Sequence, residues 1–432
     1  MVYAEIEKST NMTEANSRAL PDPALKARDN GDPLGAQSRS SRLSNGLSGT
    51  NLERAGDYNL RTVLRAIRLR DETTRVTLVQ ETGLTAPTIA NITNRLIDKG
   101  LVRLSGRTKG DRGQPAFKLQ IDPDGAFGIG LNIDRDHLTL VALDLAGEVR
   151  SRITQEIAFA MPADVVKFVR QRLDEVIAAG NVDRDRVLGV GVAMPDDLGS
   201  IALPGSPPKY ATWDDVAMPA LLREVLPWPI HTDNDAAAAA LGEAQCGTAA
   251  ENPSFFYLLI SAGLGGGLVI DRSYHRGATA RSGEIGLMPD PGAATPGAVV
   301  QDIVSLSTLH ARLAAAKCPV TSNAQLVGSD SAVNAVVNQW LNESVRALTM
   351  PLISINCLLN PDAILIGGRL PVPLIERLAS DLGKALAAVA APSHARVMSA
   401  IMAQDAPAIG AATLPFLDHV LPSDAILIKT GR

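Results

Sequence analysis

The stretch that most restricts the fold is "FFYLLISAGLGGGLVI", residues 255–270. Two runs of aromatic and aliphatic residues flank a glycine turn, which is the pattern of a β-hairpin. The arrangement recurs. "FGIGLNIDRDHLTLVALDLAGEV" (127–149) reads as two strands joined by a polar turn, and "VLGVGVAM" (187–194) as a further strand. "DAILIGGRL" (362–370) is an apolar strand ending in two glycines, and the helical "PVPLIERLASDLGKALAAV" follows it. Strands that end in glycine turns beside helices make an α/β domain whose cleft can take a nucleotide or a sugar.

The chain has 432 residues, too many for one ordinary core, so two or three domains are expected. Apolar residues make up 46% and charged residues 20%, the balance of a globular protein. Aromatics are only 3%, so the core must be built from Ala, Leu, Val and Ile. No apolar stretch reaches ~18 residues, and a membrane span is not expected. The start, "MVYAEIEKSTNM", lacks a basic segment followed by an apolar one, so no export signal is read there. Cys246, Cys318 and Cys357 lie far apart with no CxxC, which fits buried thiols in a reducing cytoplasm.

Net charge is −5, yet residues 53–120 carry 13 Lys and Arg against 7 Asp and Glu. That local balance of +6 leaves −11 on the remainder, as if a basic module were joined to an acidic one. Residues 1–55, rich in Ser, Asn, Asp, Gly and Arg without periodicity, read as a disordered tail. The module at 56–121 is patterned. Leu60, Val63, Leu64 and Ile67 recur at helical spacing. "RVTLVQETGLTAPTIANITNRLIDKGLV" then reads as helix, turn at Gly83, and second helix, with Thr85 as N-cap and Pro87 in the first turn. Ile89, Ile92, Leu96 and Ile97 face inward, leaving Thr88, Asn91, Asn94 and Arg95 outside. "LVRLSGRTKGDRGQPAFKLQI" reads as two strands around a basic turn. The expected module is a winged helix-turn-helix: Asn and Arg can read base edges in the major groove. Arg107, Lys109, Arg112 and Gln114 in the wing are candidates for backbone or minor-groove contacts. The competing reading is a protein-interaction module with solvated basic residues.

Beyond the module, "HTDNDAAAAALGE" (231–243) sets Asp233, Asn234 and Asp235 directly before an alanine helix. Asp235 is open to three roles there: catalyst, ligand-holder, or cap of that helix. Several motifs in order, "TDNDAAAAALGEAQCG", "SAGLGGGLVIDRSYHRGATARSGEIGLMP", "LLNPDAILIGG" and "APAIGAATL", together resemble the ROK family of sugar kinases and sugar-responsive repressors. "GLTAPTIANITNRLIDKGLVR" and "GDRGQPA" resemble its repressor branch. The resemblance, over about 58–420, implies a winged helix-turn-helix followed by a two-lobed actin-like ATPase domain at 122–432. It makes Asp235 the counterpart of the kinase base, Asn234 a sugar hydrogen-bonding residue and Glu284 a sugar-binding carboxylate. A sugar's vicinal hydroxyls suit carboxylate and amide groups. Glu284 otherwise reads as a surface acid after a glycine turn.

The departures separate regulator from kinase. Where the family's first phosphate loop is glycine-rich, this chain has "NIDRDH", with Asn132, Asp134, Arg135 and Asp136. Phosphate cradling needs backbone N–H groups that glycine exposes, and acids repel a polyanion. In the second loop Thr-Gly becomes Ala262-Gly263, and the histidine expected after "GEIG" is Leu287. No Cys or His lies between Leu287 and Thr308, so zinc of the family's kind is not expected there. Lys209, in the departing segment "SPPKYATWDD", is a candidate for an anionic ligand or a solvated loop residue. The expectation is a cytoplasmic, dimeric regulator of carbohydrate metabolism genes that binds operator DNA and a sugar. It would use neither ATP nor a metal, and Asp235 would be a vestigial base.

Overall fold

The computed structural model describes residues 52–108, 116–200, 206–247, 251–390 and 393–422. The expected tail lies outside them up to residue 51. Helix α1 (Leu52–Arg68) begins four residues before the expected start at 56. After the short strand β1 (Thr73–Thr74), α2 (Arg75–Thr82) is capped by Thr74, whose hydroxyl accepts from the Thr77 N–H. Gly83 ends that helix at φ +69°, a left-handed conformation that costs glycine little, and its N–H closes onto the Val79 carbonyl. Thr85 caps α3 (Ala86–Asp98) through the Thr88 N–H, with proline in the first turn as expected. Strands β2 (Val102–Arg107) and β3 (Phe117–Ile121) complete a three-stranded sheet in the order β1-β3-β2. The four α1 positions with helical spacing, together with Ile89, Ile92 and Leu96, are buried. This is a winged helix-turn-helix.

Its core does not stop at the module. Leu60, Leu64 and Ile121 belong to one apolar cluster with Val141, Leu143, Ala408, Ala412 and Phe416 from the following domain. The module is therefore cemented to that domain.

Lobe 1 contains β4 (Phe127–Ile133), β5 (His137–Asp144), β6 (Val149–Glu156), α4 (Pro162–Ala179), β7 (Val187–Met194), α5 (Met218–Leu222) and β8 (Ile230–Asn234). Helix α6 (Asp235–Cys246) leads to lobe 2. There β9 (Phe255–Ile260), β10 (Leu264–Ile270) and β11 (Ser273–Tyr274) precede α7 (Gln301–Val304), α8 (Leu306–Ala315), α9 (Ser331–Leu359), β12 (Ala363–Gly368), α10 (Val372–Ala387) and β13 (Arg396–Ser399). The orders are β6-β5-β4-β7-β8 and β11-β10-β9-β12-β13. In each sheet the first three strands are antiparallel and the last two join in parallel. The loosely recurring strand–glycine pattern is thus a repeated five-stranded topology, the two-lobed actin-like plan.

The alanine run has a packing cause. Helix α11 (Ala406–His419) crosses α6 so closely that a Cβ on Gly410 would overlap the Ala238 carbonyl. A Cβ on Gly191 of β7 would likewise overlap the Ala411 carbonyl. Large side chains in this layer would separate the helices, so Ala236–Ala240 are all fully buried. Among the described residues no helix is long and apolar enough to cross a membrane.

Candidate functional site

Three parallel strands of lobe 1 end at one edge, and each delivers polar residues there. Asp134 and Arg135 follow β4, Asp196 and Asp197 follow β7, and Asn234 and Asp235 stand at the junction of β8 and α6. Ligand crevices in α/β sheets lie outside such carboxyl ends. Ser261, Gly263 and Gly265 of the β9–β10 turn, with Arg281, Glu284, Leu287 and Gln301, supply the facing wall. The cleft encloses about 620 Å³, its open mouth included.

Asn234 caps α6. Its Oδ1 accepts from the Ala236 and Ala237 N–H groups at 2.9 and 3.1 Å. The cap role weighed for Asp235 therefore falls to its neighbour. Asp235 is the first helical residue and accepts from Ala236 N–H at 2.8 Å. Burial, with the Asp134 charge adding, pushes its carboxyl up to about 7, against the pull of the Ala236 N–H and Arg135. Burial also raises Asp196, with help from Asp197 and Asp233 and against Arg281. Glu284, on the exposed rim of the cleft, is raised by desolvation and by Asp196. The Arg135 side chain is buried and its Nε has no hydrogen-bond partner. A neutral polyhydroxyl ligand suits these donors and acceptors; a polyanion would face several carboxylates.

The first loop is closed on itself. Asp134 N–H donates to the His137 carbonyl at 3.0 Å, and Arg135 N–H to Asp134 Oδ1 at 2.7 Å. Asp136 accepts from Arg369 at 3.0 Å and lies 2.6 Å from His137 Nδ1. His137 Nε2 pairs with the Asn132 amide at 3.1 Å. Burial would raise the Asp136 carboxyl, but His137 and Arg369 hold it below the usual range. Asp134, Asp136 and His137 are close enough to share a metal ion, yet Asp136 and His137 are already engaged within this network.

Ion pairs bridge the lobes. Arg369 joins Asp136 and Glu156, Arg276 grips both oxygens of Asp233 at 3.0 and 2.5 Å, and Arg281 pairs with Asp197.

The remaining sequence candidates fall as follows. Lys209 stands apart: it is exposed on the 3-10 segment Pro208–Asp215 and does not line the cleft. In the winged helix Asn91, Asn94 and Arg95 are exposed on α3 and Thr88 is half-buried. Asn94 Oδ1 accepts from Arg75 at 2.6 Å. Arg107 is exposed, its guanidinium 4.4 Å from the Phe117 ring centre. Lys109, Arg112 and Gln114 lie outside the described residues. Sequence reasoning missed Asp196 and Asp197. Their signal was an acidic pair one proline beyond the apolar strand "VLGVGVAM".

A winged helix-turn-helix joined to a two-lobed, actin-like domain with an interlobe cleft defines the class. The chain belongs to the ROK family, whose pattern it matches over residues 128–416. It is 27% identical to the xylose repressor of Caldicellulosiruptor bescii over 52% of this chain and 56% of the repressor, so the match spans little more than half of that relative. It is 28% identical to an N-acetylmannosamine kinase of Vibrio cholerae over 63% of this chain and 95% of the kinase. The crystal structure of a ROK family transcriptional regulator, a homologue of the E. coli MLC protein, superposes with TM-score 0.61 at 20% identity. That superposition covers 87% of this chain and 99% of the regulator, and establishes a shared fold.

Proposed function

We propose that this protein is a DNA-binding transcriptional repressor of carbohydrate metabolism genes, released or engaged by a sugar held between its lobes. The observation that carries the reading is the closed first loop. Phosphoryl transfer depends on positioning and on neutralising the transferred group, and a general base alone adds only ~10²–10⁴ in rate. Here the Asp134 and Arg135 amides are consumed within the loop, and Asp136 is tied to Arg369 and His137. Asn91, Asn94 and Arg95 on α3 would read bases. Arg107, with Lys109, Arg112 and Gln114, would contact the backbone or minor groove of an operator bound by a dimer in the cytoplasm. Asp235, Glu284 and Asn234 would hold the sugar's hydroxyls. The presence of a repressor among the relatives supports the same reading.

The second reading is an active sugar kinase that also binds DNA, favoured by the retention of Asp235 and by the kinase relative. One experiment separates them: ATP consumption by the full chain across a panel of sugars, alongside operator selection from random DNA. The expected result is no sugar-dependent turnover and a selected, palindromic DNA site whose affinity changes with one sugar. Robust turnover abolished by Asp235→Asn would overturn the regulator-only view.

A further inference from the structure

Far along the chain from each other, His231, Asp418 and His419 come together on the fold. His231 lies near the start of β8, while Asp418 and His419 end α11. One donor atom from each lies within 4.8 Å of the other two. The two imidazoles meet edge to face with ring centres 6.3 Å apart. His231 is half-buried, and its Nε2 is enclosed with no hydrogen-bond partner. Asp418 and His419 are exposed, so a solvated ion can reach the group. None of the three lines the interlobe cleft.

We propose that His231, Asp418 and His419 form a binding site for a divalent transition ion of the zinc, cobalt and nickel class. The donor set selects that class. Two imidazoles and one carboxylate match borderline ions, whereas magnesium and calcium seek all-oxygen shells. Three protein donors leave at least one coordination position for water. The site also sits at the carbonyl end of a 14-residue helix, where the peptide dipoles favour a cation. The backbone that presents two of the donors is held by the winged helix. Arg61 of α1 donates to the carbonyls of Leu417, Asp418 and Leu421 at 3.3, 2.7 and 3.4 Å. Arg61 Nε is turned to Asp57 at 2.9 Å, so this cation is committed to backbone oxygens and to its own acid. The ion would therefore bind at the seam between the DNA module and lobe 1, about three strand residues, or roughly 10 Å, from Asn234 at the cleft. Nothing in the sequence spacing announces the trio, because β8 and α11 lie far apart in the chain and meet only in the fold.

The test is titration of zinc chloride into the metal-free full chain by calorimetry, repeated with a chromophoric chelator in competition. Cobalt(II) absorption then reports the ligand type. One equivalent of zinc, a cobalt spectrum of nitrogen and oxygen ligation, and no heat with magnesium are expected. His419→Ala should weaken zinc binding about tenfold or more, the equivalent of removing one of three ligands, with Asp418→Asn weakening it less. His419 is exposed, and an unchanged melting temperature without metal will show that the variant folds. Absence of zinc binding, equal binding by His419→Ala, or a cobalt–thiolate band from Cys246, Cys318 or Cys357 would overturn the proposal.

Discussion

Arg68 of α1 donates to the Gln245 carbonyl at 3.1 Å, joining the winged helix to the last turn of the helix that begins with Asp235. The same guanidinium reaches the Leu145 carbonyl at 2.8 Å and Cys246 Sγ at 3.4 Å. Twelve residues of α helix span about 18 Å, so α6 runs as one rigid rod from the cleft to the module. A ligand that shifts the first turn of α6 thereby moves a contact of the winged helix-turn-helix, without any intervening loop.

Arg68→Ala removes all three hydrogen bonds and leaves partly buried carbonyls without a donor. Each such loss costs about 1–3 kcal/mol when the orphaned group stays dry, and water will relieve part of it. The expected outcome is a melting temperature lower by several degrees, with sugar affinity within about twofold of the parent, since a shift of 1 kcal/mol moves Tm by ~2–4 °C in a domain of this size. Ligand-dependent changes in operator affinity should shrink in the variant. Scanning calorimetry and fluorescence anisotropy with and without the sugar found in the panel check both halves. An unchanged ligand response would show that α6 does not carry the signal.

Asp235 makes a pH prediction whose sign is unusual for a carboxylate. Its folded pKa, about 7, lies above its unfolded value, so the folded state holds a proton that the unfolded state releases. Stability from this group is therefore full below about pH 4 and is lost as pH rises toward 7. Asp235→Asn keeps the shape and removes the ionisation. It should melt closest to the parent near pH 4 and increasingly above it as pH rises, the gap widening by about 1–3 kcal/mol between pH 5 and pH 8. Melts across pH 5–8 give the difference directly; a variant less stable than the parent at pH 8 would contradict the assigned burial.

Much of this architecture was legible in the sequence, and the parts that were not share a cause. Hairpins such as β9–β10 announce themselves because glycines interrupt two apolar runs locally. Gly83, Thr85 and Pro87 likewise mark a turn and a helix start through their own backbone preferences. Helix α9 runs through Pro351, a residue that ordinarily interrupts a helix, and buries it in the core. Residue roles within a junction were also beyond local reading. Asn234 and Asp235 are adjacent, and which one caps α6 depends on where the backbone leaves the extended conformation, which it does after Asn234. Lys209, a candidate for an anionic ligand or a solvated loop residue, is exposed on the 3-10 segment Pro208–Asp215, away from the cleft. Asp196 and Asp197 became site residues only because β4, β7 and β8 end side by side.

Two glycines in helices should respond oppositely to the same substitution. Gly410→Ala of α11 would drive a methyl into the Ala238 carbonyl of α6, where backbone on both sides leaves no cheap adjustment. A loss of about 1–3 kcal/mol or more is expected, as for overpacking of a dense core. Gly383 sits inside α10, and a Cβ added there would meet nothing within 4 Å. Gly383→Ala should stabilise by about 0.5–1 kcal/mol, because it restricts the unfolded chain and suits a helix interior. Denaturant melts of the two variants beside the parent give the comparison; a stable Gly410→Ala protein would refute the close α6–α11 crossing.

The winged helix offers a prediction in which charge and base reading separate. Arg107 projects from β2 and stacks on Phe117, a geometry suited to a backbone phosphate or the minor groove. Arg107→Ala should weaken binding to all DNA sequences and reduce the slope of log affinity against log salt by about 1. Asn91 instead stands exposed on α3, away from the buried Ile89 and Ile92. Asn91→Ala should cost about 1–3 kcal/mol on the selected operator, with little loss on random DNA and no change of salt slope, because a base-edge contact releases no counterions. Anisotropy titrations on both DNAs at several salt concentrations distinguish the two. If both variants lost the same affinity on both DNAs, α3 would be holding the backbone and the sequence would have to be read by other residues.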